Sequence, residues 1–240
     1  MISNKYLFIG RKPHVFYKGL LIKADLNTHE SILWKMQSNN ISGKILDFGC
    51  GEGALSQRLL DHGFQVISVD KDIDQYKARG GKSIKLDFDS KSSLQNFLNE
   101  YDNYFDVVLS IEVIEHVENH FEMMRMLKKL VKKDGLIFVS TPNISSWLSR
   151  LTFLRKGEFH QFSDRDYFAD GHITPLSDFE MNIIAKTLSL KLISKSPTGT
   201  LPPLYFASIA LFFRSIIGIL LRPFMKGKLN GWGILYIFKK

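Results

Sequence analysis

The chain has 240 residues, 45% of them apolar, enough for one large core and within the range of a single α/β domain. Its one cysteine, Cys50, excludes an intramolecular disulfide, and the opening MISNKYLFIGRKPHVFYKG lacks the apolar run and cleavage site of a secretory signal, so an unprocessed cytoplasmic protein is expected. The net charge of +8 lies in residues 191–240, which carry eight Lys and Arg and no acid. The first 190 residues balance 24 basic against 24 acidic side chains, which disfavours a nucleic-acid partner.

Residues 1–40 are expected to form an N-terminal helical cap on a domain at 41–240. Seven apolar runs of strand length follow: KILDFG (44–49), FQVISVD (64–70), SIKLD (83–87), FDVVLS (105–110), GLIFVST (135–141), LKLISK (190–195) and ILYIFK (234–239). Helix-length segments between them imply right-handed crossovers and a mostly parallel sheet with helices on both faces. One helix shows Phe121, Met124, Leu127, Leu130 and Val131 at three- and four-residue spacing, and Asp134-Gly135 is expected to stop it. Ser177 and Glu180 form a capping-box pattern before another, running through Ile184 and Leu188.

The strongest chemical signal is ILDFGCGEG (45–53). A strand delivers the chain to a turn where Gly49, Gly51 and Gly53 allow sharp bending and close approach of a ligand, and a helix follows from Ala54. Asp70 ends the next strand 21 residues after Gly49, where a carboxylate can accept ribose hydroxyls. The spacing is G-x-G-x-G, not the G-x-G-x-x-G that seats a pyrophosphate, and Asp47 sits in the strand just before the turn. An acidic strand end beside the glycines suits S-adenosylmethionine (AdoMet), a sulfonium cation without phosphate, better than it suits a dinucleotide.

With these motifs the sequence, from about 40 to 195, resembles the class I AdoMet-dependent methyltransferases, most closely the group that includes the ubiquinone-pathway O-methyltransferases and bacterial small-molecule methyltransferases. The resemblance implies a Rossmann-like seven-stranded sheet with the last strand antiparallel, AdoMet as cofactor and S-adenosylhomocysteine as product. It places Asp47, Gly49, Cys50, Gly51 and Gly53 around the methionine part, and Asp70 with Lys71 at the ribose. Asp87 would meet the adenine amine, with Asp89 as competitor, and Phe88 would lie near the ring. In FDVVLSIEVIEHV (105–117), Ser110 and Ile111 would line the cofactor and Glu112 the substrate side; STPN (140–143) would form a lip of the cleft.

For a hydroxyl acceptor the candidate bases are His116, His160 and His172, the last two in RKGEFHQFSDRDYFADGHITPLS, which reads as a lid. Glu112, Glu115, His116 and His172 are a ligand set able to hold a divalent metal, resembling the site of the small-RNA terminal 2′-O-methyltransferases. The expected acceptor is a hydroxyl on a small, glycan or lipid-linked molecule. A metal-dependent RNA ribose 2′-O-methyltransferase and a non-catalytic AdoMet-binding module are the alternatives.

LYFASIALFFRSIIGILL (204–221) has the length of a membrane span, but the final strand must return to the sheet, so an apolar helical insertion at about 201–228 is expected instead. Ser208, Ser215, Gly218 and Arg222 make a narrow polar seam on it. It reads as a peripheral membrane anchor over 204–228, a buried crossover helix or a homodimer contact.

Overall fold

All seven apolar runs pair into one sheet in the computed structural model, which describes residues 15–88, 90–206 and 208–240. In chain order the elements are β1 (Phe16–Tyr17), β2 (Leu20–Leu21), α1 (Thr28–Ser38), β3 (Lys44–Phe48), α2 (Ala54–Leu60), β4 (Gln65–Asp70), β5 (Lys82–Lys85), α3 (Lys91–Glu100) and β6 (Phe105–Ile111). Then come α4 (His120–Leu130), β7 (Val131–Pro142), α5 (Trp147–Lys156), α6 (Asp164–Asp170), α7 (Asp178–Thr187), β8 (Lys191–Thr198), α8 (Ile209–Leu221) and β9 (Gly233–Lys239).

The strand order is β5-β4-β3-β6-β7-β9-β8, with β9 antiparallel to both neighbours and every other pairing parallel. Because side chains alternate along a strand, each central strand feeds two cores. Leu46, Phe48, Val108 and Val139 pack with α3, α4 and α7, while Ile45, Val107, Leu109 and Phe138 pack with α1 and α2. Each fully buried aliphatic side chain contributes about 1.5–3 kcal/mol. The chain leaves β3 in one direction towards β4 and β5 and returns to β6 on the other side. The crevice outside the carboxyl ends of β3 and β6 is therefore the place where an open sheet of this kind binds ligands.

Three expectations need correction or refinement. Of the expected helical cap, residues 1–14 lie outside the described residues, and the rest holds the β1–β2 hairpin as well as α1. The helix over 120–130 ends at Leu130, not at Asp134-Gly135: Val131 already pairs with Phe105, and Asp134 (φ 64°) lies where the register shifts before Val107 meets Leu136. Pairing with β6 overrode the helical periodicity there. Ser177 does cap α7, accepting from Glu180 N at 3.1 Å, but the Glu180 carboxylate bonds His120 Nδ1 at 2.7 Å instead of closing a capping box. A reciprocal box forms instead at Ser163 and Asp166, at the start of α6.

The expected insertion contains α8 and a single 3-10 turn at Arg222–Phe224. Among the described residues no helix is long and apolar enough to cross a membrane.

Candidate active site

The turn after β3 is built by its glycines. Gly49, Gly51 and Gly53 have φ of 80°, 54° and 87°, a region that costs other residues strain. A Cβ on Gly49 would meet Val113 at 2.5 Å and one on Gly53 would meet Tyr76 at 2.6 Å, whereas for one on Gly51 the nearest atom among the described residues is on Lys23 at 3.8 Å. Gly49 and Gly53 thus serve packing, and Gly51 leaves its open side to a ligand. Asp70 braces the turn: Gly51 N donates to Oδ2 at 2.7 Å and Asp72 N to Oδ1 at 3.0 Å.

Asp47 is buried beneath the turn, where Ser56 Oγ donates to it at 2.5 Å and in turn meets Ser68 Oγ at 2.8 Å. Burial pushes its carboxyl up to about 6, with Ser56 opposing and Asp70 adding to the rise. Burial, with Asp47 and Asp70, also pushes the Cys50 thiol far up, so Cys50 is no nucleophile.

Two adjoining hollows open here. The smaller, about 90 Å³, is lined by Asp47, Gly49, Cys50, Gly51, Glu52 and Ile111 together with Leu21, Lys23 and His29. The larger, about 620 Å³, is lined by Asp25, Gln161, Asp170, His116, His172 and Trp232 among others. Leu21, Lys23, Ala24 and Glu112 belong to both. A cofactor seated on the glycine turn therefore adjoins the larger chamber.

Glu112 stands at the junction with φ 55°, rare for a residue with a side chain. Its N–H donates to Ser140 Oγ at 3.0 Å, and that hydroxyl donates back to Glu112 Oε1 at 2.5 Å.

His116, in the turn after β6, and His172, after α6, both line the chamber and meet with ring centroids 5.0 Å apart. Each donates Nδ1–H to a carbonyl that can only accept, His116 to Gly171 O at 3.0 Å and His172 to Gln161 O at 2.9 Å. That fixes the tautomer and leaves both Nε2 lone pairs for chemistry. Burial lowers the basicity of His116, favouring its neutral form. One ligand atom each from Glu115, His116 and His172 lies within 4.8 Å of the others. The Glu115 carboxyl is wholly buried and held well above its ordinary pKa by burial and by Glu112. The lid is fastened to this spot, since Ile173 N and Thr174 N both donate to Glu115 O.

The other expected residues are spread between the two hollows and the surrounding elements. His160 packs its ring on Trp232 (5.1 Å between centroids) instead of joining the histidine pair, and Glu112 is held by Ser140 instead of joining the three-ligand cluster. Ile111 lines the smaller hollow, while Ser110 is fully buried within β6. Phe88 lies half-buried with its ring 4.8 Å from Phe48, Lys71 and Asp87 are exposed, and Asp89 lies outside the described residues. Asn143 of the expected lip binds the tail, donating to Lys228 O at 2.8 Å and Asn230 O at 3.1 Å. Sequence reading missed Leu21, Lys23, Asp25, His29, Tyr76 and Trp232, which come from segments without a motif. His29 is buried, its Nδ1 lacks a hydrogen-bond partner among the described residues, and burial lowers its pKa to about 3, so its imidazole is neutral.

The seven-stranded sheet, the switch-point crevice and a glycine turn braced by a strand-end acid define the class of AdoMet-dependent methyltransferases. The residues fit the cofactor: Gly51 is open, the orphan His29 suits its polar amino-acid end, and the Asp70 carboxylate stands beside the turn where ribose hydroxyls can share it.

The chain belongs to the methyltransferase domain family, whose model matches residues 30–194. Among curated proteins it is similar to the ubiquinone biosynthesis O-methyltransferase of Rickettsia bellii (40% identical over 132 residues, 52% of this chain and 54% of the relative). It is also similar to that of Pelagibacter ubique (36% over 103 residues, 42% of each). The chain thus spans about half the length of the curated relatives it matches. Its fold is that of a SAM-dependent methyltransferase from Archaeoglobus fulgidus, with a TM-score of 0.57 and 17% identity over 88% of this chain and 94% of the other. It is also that of magnesium protoporphyrin IX methyltransferase from Synechocystis PCC 6803 with bound SAH, with a TM-score of 0.55 and 16% identity over 89% and 82%.

Proposed function

We propose that the protein transfers the methyl group of AdoMet to a hydroxyl of a small, glycan or lipid-linked acceptor held in the larger chamber. The observation that carries this reading is the pair His116 and His172, each with Nδ1–H tied to a carbonyl and Nε2 left for an acceptor proton, beside the hollow of the glycine turn.

Methyl transfer is a direct displacement in which the acceptor oxygen, the methyl carbon and the sulfonium sulfur must lie in line, so positioning supplies much of the acceleration. The protein contributes the braced turn that fixes the sulfur end, Glu112 at the junction, and a neutral imidazole to take the hydroxyl proton as the carbon–oxygen bond forms. The curated relatives act as O-methyltransferases in ubiquinone biosynthesis, which supports oxygen as the acceptor atom and makes intermediates of that synthesis the first acceptors to try.

In a second reading the same Nε2 lone pairs, instead of accepting the proton, would join Glu115 in a three-ligand set, where a cation would stabilise the ionised form that burial denies to Glu115. A divalent ion there would polarise a pair of acceptor oxygens.

The test is a methyl-transfer assay with labelled AdoMet, run with and without a chelator. His116→Gln and His172→Gln are each expected to lower kcat by about 10²–10⁴ while AdoMet binding, read by calorimetry, is unchanged. Full kcat in both variants would overturn the base assignment, and activity indifferent to chelation and to added Mg²⁺, Mn²⁺ or Zn²⁺ would overturn the metal set. Tight AdoMet binding with no turnover on any acceptor would return the chain to a non-catalytic module.

A further inference from the structure

Helix α8 is turned inside out relative to an ordinary surface helix. Ser215 and Gly218, the small and polar side of the helix, face the body of the protein. A Cβ on Gly218 would come within 2.7 Å of Trp147, and Tyr205 N donates to Ser215 Oγ at 3.2 Å. Ser208 caps the helix, accepting from Leu211 N at 3.2 Å. The apolar side faces outwards: Ile209 is 79% exposed and Leu220 68%, with Phe213 and Ile217 between them on the same face, Phe224 just beyond, and Leu154 of the neighbouring α5 80% exposed. An exposed apolar surface of this kind is costly in water and marks an interaction site.

The charge beside it identifies the partner. Arg214 on α8 lies within electrostatic reach of Arg155 on α5, and Lys226 and Lys228 follow the helix. Among the described residues none of these four has an ion pair, and residues 191–240 contain no acid at all. Two guanidiniums within electrostatic reach of each other, beside aliphatic and aromatic side chains, fit a surface that is both greasy and anionic. A helix of 13 residues is about 20 Å long, too short to span a bilayer core of about 30 Å but suited to lying in its interface.

We propose that the outer face of α8, with Leu154, docks on an anionic lipid surface, its apolar side chains entering the interface and Arg155 and Arg214 meeting lipid phosphates. This goes beyond methyl transfer and does not depend on it. The geometry also connects the surface with the chamber, because Trp232, which lines the chamber, packs with Trp147, Leu201 and Tyr205 in the cluster beneath α8. An acceptor carried in a membrane would thus be met close to where it reacts.

The test is co-sedimentation of the full chain with phosphatidylcholine vesicles and with phosphatidylcholine–phosphatidylglycerol vesicles, alongside light scattering for the oligomeric state. Binding is expected to the anionic vesicles and to weaken with salt. It should fall at least tenfold both in the double variant Phe213→Glu/Leu220→Glu and in Arg155→Gln/Arg214→Gln, with AdoMet affinity unchanged as the control for folding. Absence of binding to anionic vesicles overturns the proposal. So does a dimer that the Phe213→Glu/Leu220→Glu variant converts to monomer, which would make a second copy the occupant. Complete displacement by inorganic phosphate at matched ionic strength would make the arginines a soluble-anion site and overturns it too.

Discussion

Asp47 is an acid placed where an acid is uncomfortable. It is 3% exposed, its charge is desolvated, and hydrogen bonding from Ser56 only partly offsets this, leaving the carboxyl at about 6 against 3.8 in the unfolded chain. A carboxyl whose folded pKa is raised binds its proton more tightly when native, so its penalty is absent below pH 4 and grows as the pH rises towards 6. The penalty above that is about 3 kcal/mol. His29, whose pKa is lowered to about 3, works in the opposite sense over this range, so the Asp47 contribution is read as a difference: in denaturant unfolding, Asp47→Asn should gain stability relative to the native chain as the pH rises from 4 to 7, and a difference that does not change with pH would refute the assignment. The sequence displayed this acid at a strand end beside glycines. It did not display Ser56 and Ser68 closing over it, because neither serine has a recognisable spacing. The histidines divide the same way. All three candidates were legible as residue types in the lid and fourth-strand motif, but only packing decided that His172 meets His116 while His160 turns to Trp232.

At the scale of elements, the strands were legible because period-two and continuous apolar runs are local, and all seven pair in the sheet. The end of α4 was not, because Val131 continues the helical period and is taken by pairing with Phe105. The seam on α8 was also visible, but its direction was not: default amphipathicity puts the apolar side inwards, whereas the close approach of Trp147 requires the Ser215–Gly218 side there. Gly218→Leu should thus destabilise the protein by about 1–3 kcal/mol through overpacking against Trp147, although leucine is the better helix former. Ile217→Ser, on the exposed face, should change stability by no more than about 0.5 kcal/mol. Thermal unfolding of both checks this, and the reverse order of effects would mean that α8 packs with its apolar side inwards.

At the scale of the whole molecule, the seven-residue strand β9 joins the edge strand β8 to the rest of the sheet and contributes to both cores. β9 lies between β7 and β8, hydrogen-bonded to both, and Leu235, Tyr236, Ile237 and Phe238 are buried on its two faces. Tyr236 also donates to Asp178 at 2.5 Å, tying the start of α7 to the sheet. Removing residues 233–240 should abolish the cooperative transition rather than trim an end, with loss of near-ultraviolet circular dichroism and of AdoMet binding. A truncated chain that still unfolds cooperatively and binds AdoMet would show that β3–β8 suffice.

The sequence by itself determined the strand inventory, the glycine turn with its strand-end acids and hence the cofactor class, because each is a spacing within one segment and the chain enforces it locally. Only the tertiary structure decided the meeting of His116 and His172, the separation of His160 from that pair and of Glu112 from the three-ligand cluster, the contribution of His29 and Trp232 to the walls, and the outward turn of α8. Those depend on which faces of distant elements can approach one another, and that is set by side-chain volume and burial across the fold rather than by any pattern along the chain.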